Sequence, residues 1–167
     1  MKRFAILAVL ILVTAVAENS GPALRNAALT APPSRFGATK PHQPFAVVMD
    51  VADQKGVTSV LATASGDASL YLSTGGAITN GIRNEYVRHA AGELVGIAAK
   101  HVSQLKKATN FDYPHTGNVS FFVRTPEGTF TETVPESELR GQKHPLSPVY
   151  DAGQKVISEL RRLEISK

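Results

Sequence analysis

No cysteine and no tryptophan occur in the 167 residues of this chain. Without thiols there is no disulfide framework, no cysteine-ligated zinc or iron–sulfur centre and no thiol nucleophile. Charge of one sign is also scarce. Eighteen Lys+Arg face 14 Asp+Glu, a formal net charge of +4. Losing Lys2 and Arg3 with a leader peptide leaves 18 − 2 = 16 against 14, or +2. That field is too weak to argue for nucleic acid, and the closest cationic pairs, Lys106-Lys107 and Arg161-Arg162, suit helix C-termini instead. Apolar residues at 43% are too many for a wholly disordered chain.

The N-terminus carries the strongest signal. Lys2 and Arg3 precede 14 residues from Phe4 to Ala17 that are apolar but for Thr14, closing on Ala15-Val16-Ala17 before Glu18-Asn19-Ser20. This order is that of a secretory signal peptide over 1–17, cleaved near Ala17. It is shorter than the roughly 20 residues a spanning helix needs. An exported protein, periplasmic or secreted, is the expectation, with an uncleaved membrane anchor as the alternative. No Cys follows the run, which excludes lipoprotein processing.

From Glu18 to Pro44 the composition is rich in Pro, Ala, Ser and Thr, with prolines at 22, 32, 33, 41 and 44. It reads as a disordered linker over 18–44, in which Ala23 to Leu29 carry too little apolar surface to hold a helix alone. A single globular domain is expected over 45–167. Strand-like runs at Ala46–Val51, Val57–Ala64 and Ser69–Ser73 are joined by tight turns. A long amphipathic helix follows, from Arg83 to Lys107, with Val87, Ala90, Ala91, Leu94, Ala98, Val102 and Leu105 on one face. Gly92, Gly96 and the alanines keep it thin for close approach to a neighbour. Val119-Phe121-Val123 and Phe130-Glu132-Val134 alternate as a hairpin about Pro126-Glu127-Gly128. A last helix starts with Ser147 as N-cap and Pro148 at its first position. The order β-β-β-α-β-β-α predicts an α+β fold: a five-stranded antiparallel sheet, two helices packed on one face, the other face open.

No catalytic signature emerges. The loop Thr74-Gly75-Gly76-Ala77-Ile78-Thr79-Asn80-Gly81 joins a strand to a helix start, where free N–H groups favour an anion. It has neither the P-loop ending nor the dinucleotide spacing, and glycines at such junctions also serve as plain turns. Asp50 and Asp53 read as solvated residues at the end of the first strand. Glu85, His89 and Glu93 form an i, i+4, i+8 ridge, the geometry of an oriented base or of an ordinary exposed face. His144 and Ser147 share a proline-stiffened loop with Tyr150 and Asp151, yet no nucleophile elbow is present. The ligand-binding candidates are therefore Thr74, Gly75, Gly76, Thr79, Asn80, Gly81, His144 and Ser147. No catalytic residue, metal site or cofactor is expected.

Leu70-Tyr71-Leu72-Ser73-Thr74-Gly75-Gly76, the long helix, the hairpin Val119-Ser120-Phe121-Phe122-Val123-Arg124-Thr125-Pro126-Glu127-Gly128 and Lys143-His144-Pro145-Leu146-Ser147-Pro148 together resemble a family of small bacterial proteins of unknown function. The resemblance spans about Phe45 to Leu163 and implies no activity for any residue. Those relatives usually lack a signal peptide, so the first 44 residues depart from them. In architecture the chain is distantly similar to roadblock and profilin-like domains, which implies dimeric scaffolding. Roadblock domains start with a helix and place two strands before the central one, whereas three and no leading helix are expected here.

The leading reading is an exported, non-enzymatic binding or scaffold domain acting through protein association at a sheet face or edge, as a homodimer or with another protein. The alternative is a small-molecule or anion-binding module using the 74–81 loop. A hydrolase through His144 or His89 is the third. Nucleic acid is not an expected partner, and a membrane is one only with an uncleaved leader.

Overall fold

A computed structural model of the chain describes residues 20–37 and 40–165. The signal peptide expected at 1–17 lies outside the described residues, among which no helix is long and apolar enough to cross a membrane. The elements are α1 (Gly21–Thr30), β1 (Ala46–Asp53), β2 (Gly56–Thr63), β3 (Ala68–Leu72), β4 (Ala77–Ile78), α2 (Glu85–Ala99), β5 (Lys106–Lys107), β6 (Asn118–Thr125), β7 (Gly128–Pro135), α3 (Glu136–Arg140) and α4 (Ser147–Ile165). Short 3-10 turns lie at Pro33–Phe36, Gly81–Arg83 and Val102–Gln104.

The α+β class stands, but the five-stranded sheet is corrected. One antiparallel sheet has seven strands in the order β4-β3-β2-β1-β6-β7-β5. The two additions are edge strands of two residues each, too short to show any period in the sequence. The long helix also stops earlier than its apolar stripe, at Ala99. Val102 and Leu105 still pack on the core, but from a 3-10 turn, and Lys106-Lys107 then leave as a strand along β7.

Strand alternation divides the sheet into two faces. On the first, Val47, Met49, Val60, Leu70, Phe121 and Val134 meet α2 and α4 in the larger apolar cluster. Close approach comes from Gly153 of α4, whose missing side chain makes room for Met49. Gly92 and Gly96 do not serve this purpose, since open space surrounds both.

The second face is open only in part. Residues 21–30, within the segment that reads as a linker, form α1 and pack over β2 and β3. Ser20 caps the helix, its Oγ accepting from the Ala23 N–H at 3.4 Å, and Pro22 sits in its first turn. Gly21 fits where a Cβ would strike the carbonyls of Leu72 and Gly76. Leu29 and Ala28 complete a smaller cluster with Phe45, Val48, Leu61, Tyr71 and Phe122. A ten-residue helix this poor in apolar side chains is marginal alone, so the sheet must hold it.

Candidate functional site

What fixes its position is charge. Asp50 lies in the interior of β1, fully buried, with its side chain on the second face. It is not the solvated strand-end residue its sequence position suggests, and only Asp53 fills that role, its Oδ1 accepting from the Lys55 N–H at 2.7 Å. Arg25 of α1, 4% exposed, reaches down to it. Its Nε donates to both carboxylate oxygens at 3.0 and 3.1 Å, and its terminal nitrogen Nη2 makes a short ion pair with Oδ2. Burial pushes the Asp50 pKa above the ordinary carboxylate value, and the hydrogen bonds and charge of Arg25 pull it back.

The pair sits in a polar row that the register draws across the sheet. Tyr71 pairs with Ser59, Ser59 with Asp50, Asp50 with Ser120 and Ser120 with Thr133. Residues directly opposite in a ladder share a face, so these five side chains line one transverse strip, about 19 Å long across four inter-strand gaps. The Ser59 hydroxyl is buried with no well-formed hydrogen bond, yet lies where it favours the charged carboxylate. The hydroxyls of Ser120 and Thr133 bond to each other at 2.7 Å.

One end of the row runs under α1. The other opens into a groove of about 370 Å³ over β6 and β7, lined by Lys106, Asn110, Asp112, Phe122, Thr131 and Thr133 among others. Lys106 and Asp112 have no ion-pair partner among the described residues, whereas Glu132 stands opposite Phe121 in the ladder and so faces the other side of the sheet. The groove therefore offers unneutralised charge of both signs beside hydroxyls and an amide.

The loop from Ala108 to Tyr113 is its wall, and Arg25 is fixed to that wall. The Phe111 carbonyl accepts from Arg25 Nη1 at 2.9 Å. The Tyr113 ring stacks on the guanidinium at 4.1 Å, and the Phe111 ring meets Phe122 edge-on at 5.8 Å. A second arginine clamps the other end of α1 from below. Arg124 of β6 donates to the Ala28 and Ala31 carbonyls at 2.6 Å each, satisfying acceptors that a helix C-terminus leaves open.

The sequence candidates fall elsewhere. Thr79 and Asn80 line a separate cavity of about 460 Å³ with Arg83, Asn84 and Leu163. Thr74, Gly75 and Gly76 are turn residues that do not line it: the Gly76 carbonyl accepts from the Leu72 N–H at 2.9 Å and Gly75 has φ +124°. Gly81 is buried against the Ala68 carbonyl and Val87, where a Cβ would clash at 2.6 and 2.7 Å. His144 and Ser147 do not join them, since 16 residues of α4 separate Ser147 from Leu163, about 24 Å. His144 Nδ1 accepts from the Leu146 N–H at 3.2 Å, and Ser147 is the first helical residue rather than the cap, its hydroxyl buried without a partner. Of the helix ridge, Glu93 pairs with Lys155 at 2.6 Å on the surface, which lowers its pKa. No group of three or more His, Asp or Glu suited to a metal occurs among the described residues.

No protein family, curated protein or solved structure compared with this chain matches it.

Proposed function

We propose that this chain is an exported, non-enzymatic binding domain that takes a small ligand bearing both charges, such as an amino acid or short peptide, in the groove over β6 and β7. The observation that carries the reading is the groove itself. A concave site brings unpaired Lys106 and Asp112 together with the Ser120–Thr133 hydroxyl pair. Its volume is within the range of small-molecule sites. Unpaired carboxylate and ammonium groups that line one groove with hydroxyls suit a zwitterion, whose two ends each find a partner.

Recognition is favoured over turnover by the state of the reactive groups. Asp50 is sealed by Arg25, His144 Nδ1 accepts from a backbone N–H, and the buried Ser147 hydroxyl has no hydrogen-bond partner. Association through the sheet edges is disfavoured by their shape. Each outer strand has two residues, one pair being lysines, and β7 ends on Pro135. Short, charged and proline-blocked edges resist strand addition.

A second reading has one observation behind it. Thr79, Asn80 and Arg83 share the larger cavity, which suits an anion.

Both are tested by thermal denaturation against a panel of amino acids, dipeptides and inorganic phosphate. Saturation at about 100 times Kd adds roughly 2.7 kcal/mol to stability. A zwitterion that stabilises the native chain but not Thr131→Arg supports the groove. Stabilisation by phosphate, lost in Arg83→Ala, moves the site to the 79–84 cavity. A chain that none of the panel stabilises contradicts both.

A further inference from the structure

We propose that α1 is a strap that shapes the groove, with Arg25 as the positioning residue that links the two. The inference rests on the groove being the ligand site, and it assigns that site a control element in the N-terminal segment.

The link is a matter of shared atoms. Thr109, Asn110 and Asp112 line the groove, while the Phe111 carbonyl and the Tyr113 ring of the same loop are held by the Arg25 guanidinium. Within that loop the side chains supply one further bond, the Asn110 Oδ1 accepting from the Asp112 N–H at 3.3 Å. Beyond the ladder bond from the Ala108 N–H to the Thr129 carbonyl at 2.8 Å, the wall is pinned by aromatic packing of Phe111 on Phe122 and by Arg25. A planar guanidinium is suited to this divided task, since its fork meets Asp50 while a free N–H reaches Phe111 and its face stacks on Tyr113.

The strap is also built to come off. Its buried residues are Gly21, Arg25, Ala28 and Leu29, against six in α2 that include Val87, Leu94 and Val95. When α1 lifts, both Asp50 and Arg25 regain water, so separation strands no charge in an apolar interior. This differs from deleting one partner in place, which does. Elements with few buried apolar contacts open at the low end of a protein's stability range. A ligand that holds the wall in its docked form therefore strengthens the seating of α1 by the same factor as α1 strengthens the ligand.

The test needs no ligand, so it stands apart from the binding panel. Backbone 15N order parameters for residues 109–113 and hydrogen exchange for α1 are measured in the native chain, in Arg25→Lys and in the charge-free pair Arg25→Met with Asp50→Leu. In Arg25→Lys an ammonium can meet Asp50 but cannot fork to Phe111 and stack on Tyr113 together. The expected result is that its α1 exchange rises less than threefold, while the loop falls from about 0.85 to below about 0.6. The charge-free pair is expected to loosen the loop equally with α1 still docked. A loop that stays rigid in both variants overturns the proposal. So does a loop that loosens only in step with α2 and α4, since that is general destabilisation. If the loop responds but the panel finds no zwitterion, the coupling holds and the ligand assignment falls.

Discussion

On the first face of the sheet, α2 and α4 bring Val87, Leu94, Val95, Val149, Val156 and Leu160 down onto Met49, Val60 and Phe121 in one continuous apolar cluster. On the second, α1 brings two buried apolar side chains, Ala28 and Leu29, and is fastened by two arginines, one pointing down to Asp50 and one pointing up from β6. Apolar burial is non-directional and scales with area, so the first face supplies cohesion. Buried ion pairs add little net stability over apolar packing but demand one geometry. The second face thus fixes position more than it adds strength, and it is there that the polar row and groove lie.

The contrast is sharpest for truncations. Phe121→Ala removes a fully buried ring from the first-face core and is expected to cost about 3–5 kcal/mol, seen as a fall in the midpoint of cooperative denaturant unfolding. Arg124→Met, by comparison, strips the Ala28 and Ala31 carbonyls of their donor. A loss of about 1–3 kcal/mol is expected, registered as faster exchange in α1 with the global midpoint nearly unchanged. If Arg124→Met unfolds the whole domain as Phe121→Ala does, the two faces are not separable.

A smaller effect belongs to the polar fringe of the first face. Tyr150 donates to Glu136 Oε1 at 2.6 Å, and Arg140 holds the same oxygen at 2.7 Å. Burial, with the hydrogen bond to Glu136, pushes the Tyr150 phenol up to about 12. A phenol whose pKa is raised by folding stabilises the native state fully below its unfolded value of 10.0. That stability is lost as pH rises through about 12. Tyr150→Phe is expected to cost about 1 kcal/mol at neutral pH and to flatten the decline between those values, as followed by urea unfolding at stepped pH. A native chain whose stability does not fall across that window contradicts the assignment.

Much of the first face is legible in the sequence because its elements are long and periodic. The stripe Val87-Ala90-Ala91-Leu94-Ala98 and the alternation of Val119, Phe121 and Val123 report the faces they bury. The second face is hidden for physical reasons. Leu24, Ala28 and Leu29 make too short a stripe to announce a helix, and the prolines around it carry the opposite signal. Its position is fixed by Arg25, whose partner is 25 positions away and invisible to local pattern. A trace was present: a carboxylate inside the run Ala46-Val47-Val48-Met49-Asp50-Val51 asks for a buried cation. The groove could not be foreseen at all, because it arises from register between strands and a loop with no period of its own. The 79–84 cavity is half visible, through Thr79 and Asn80, while Arg83 reads in the sequence only as the start of the long helix.

The account turns on α1 being held separately from the core, and native-state hydrogen exchange across a series of sub-denaturing guanidinium concentrations tests this most directly. Amides of α1 are expected to open through a local event, with a free energy below that of α2 and α4 and little dependence on denaturant. Were α1 to exchange only with global unfolding, on the same line as α2 and α4 at every concentration, the strap would be part of one cooperative core and the division between the two faces would fail.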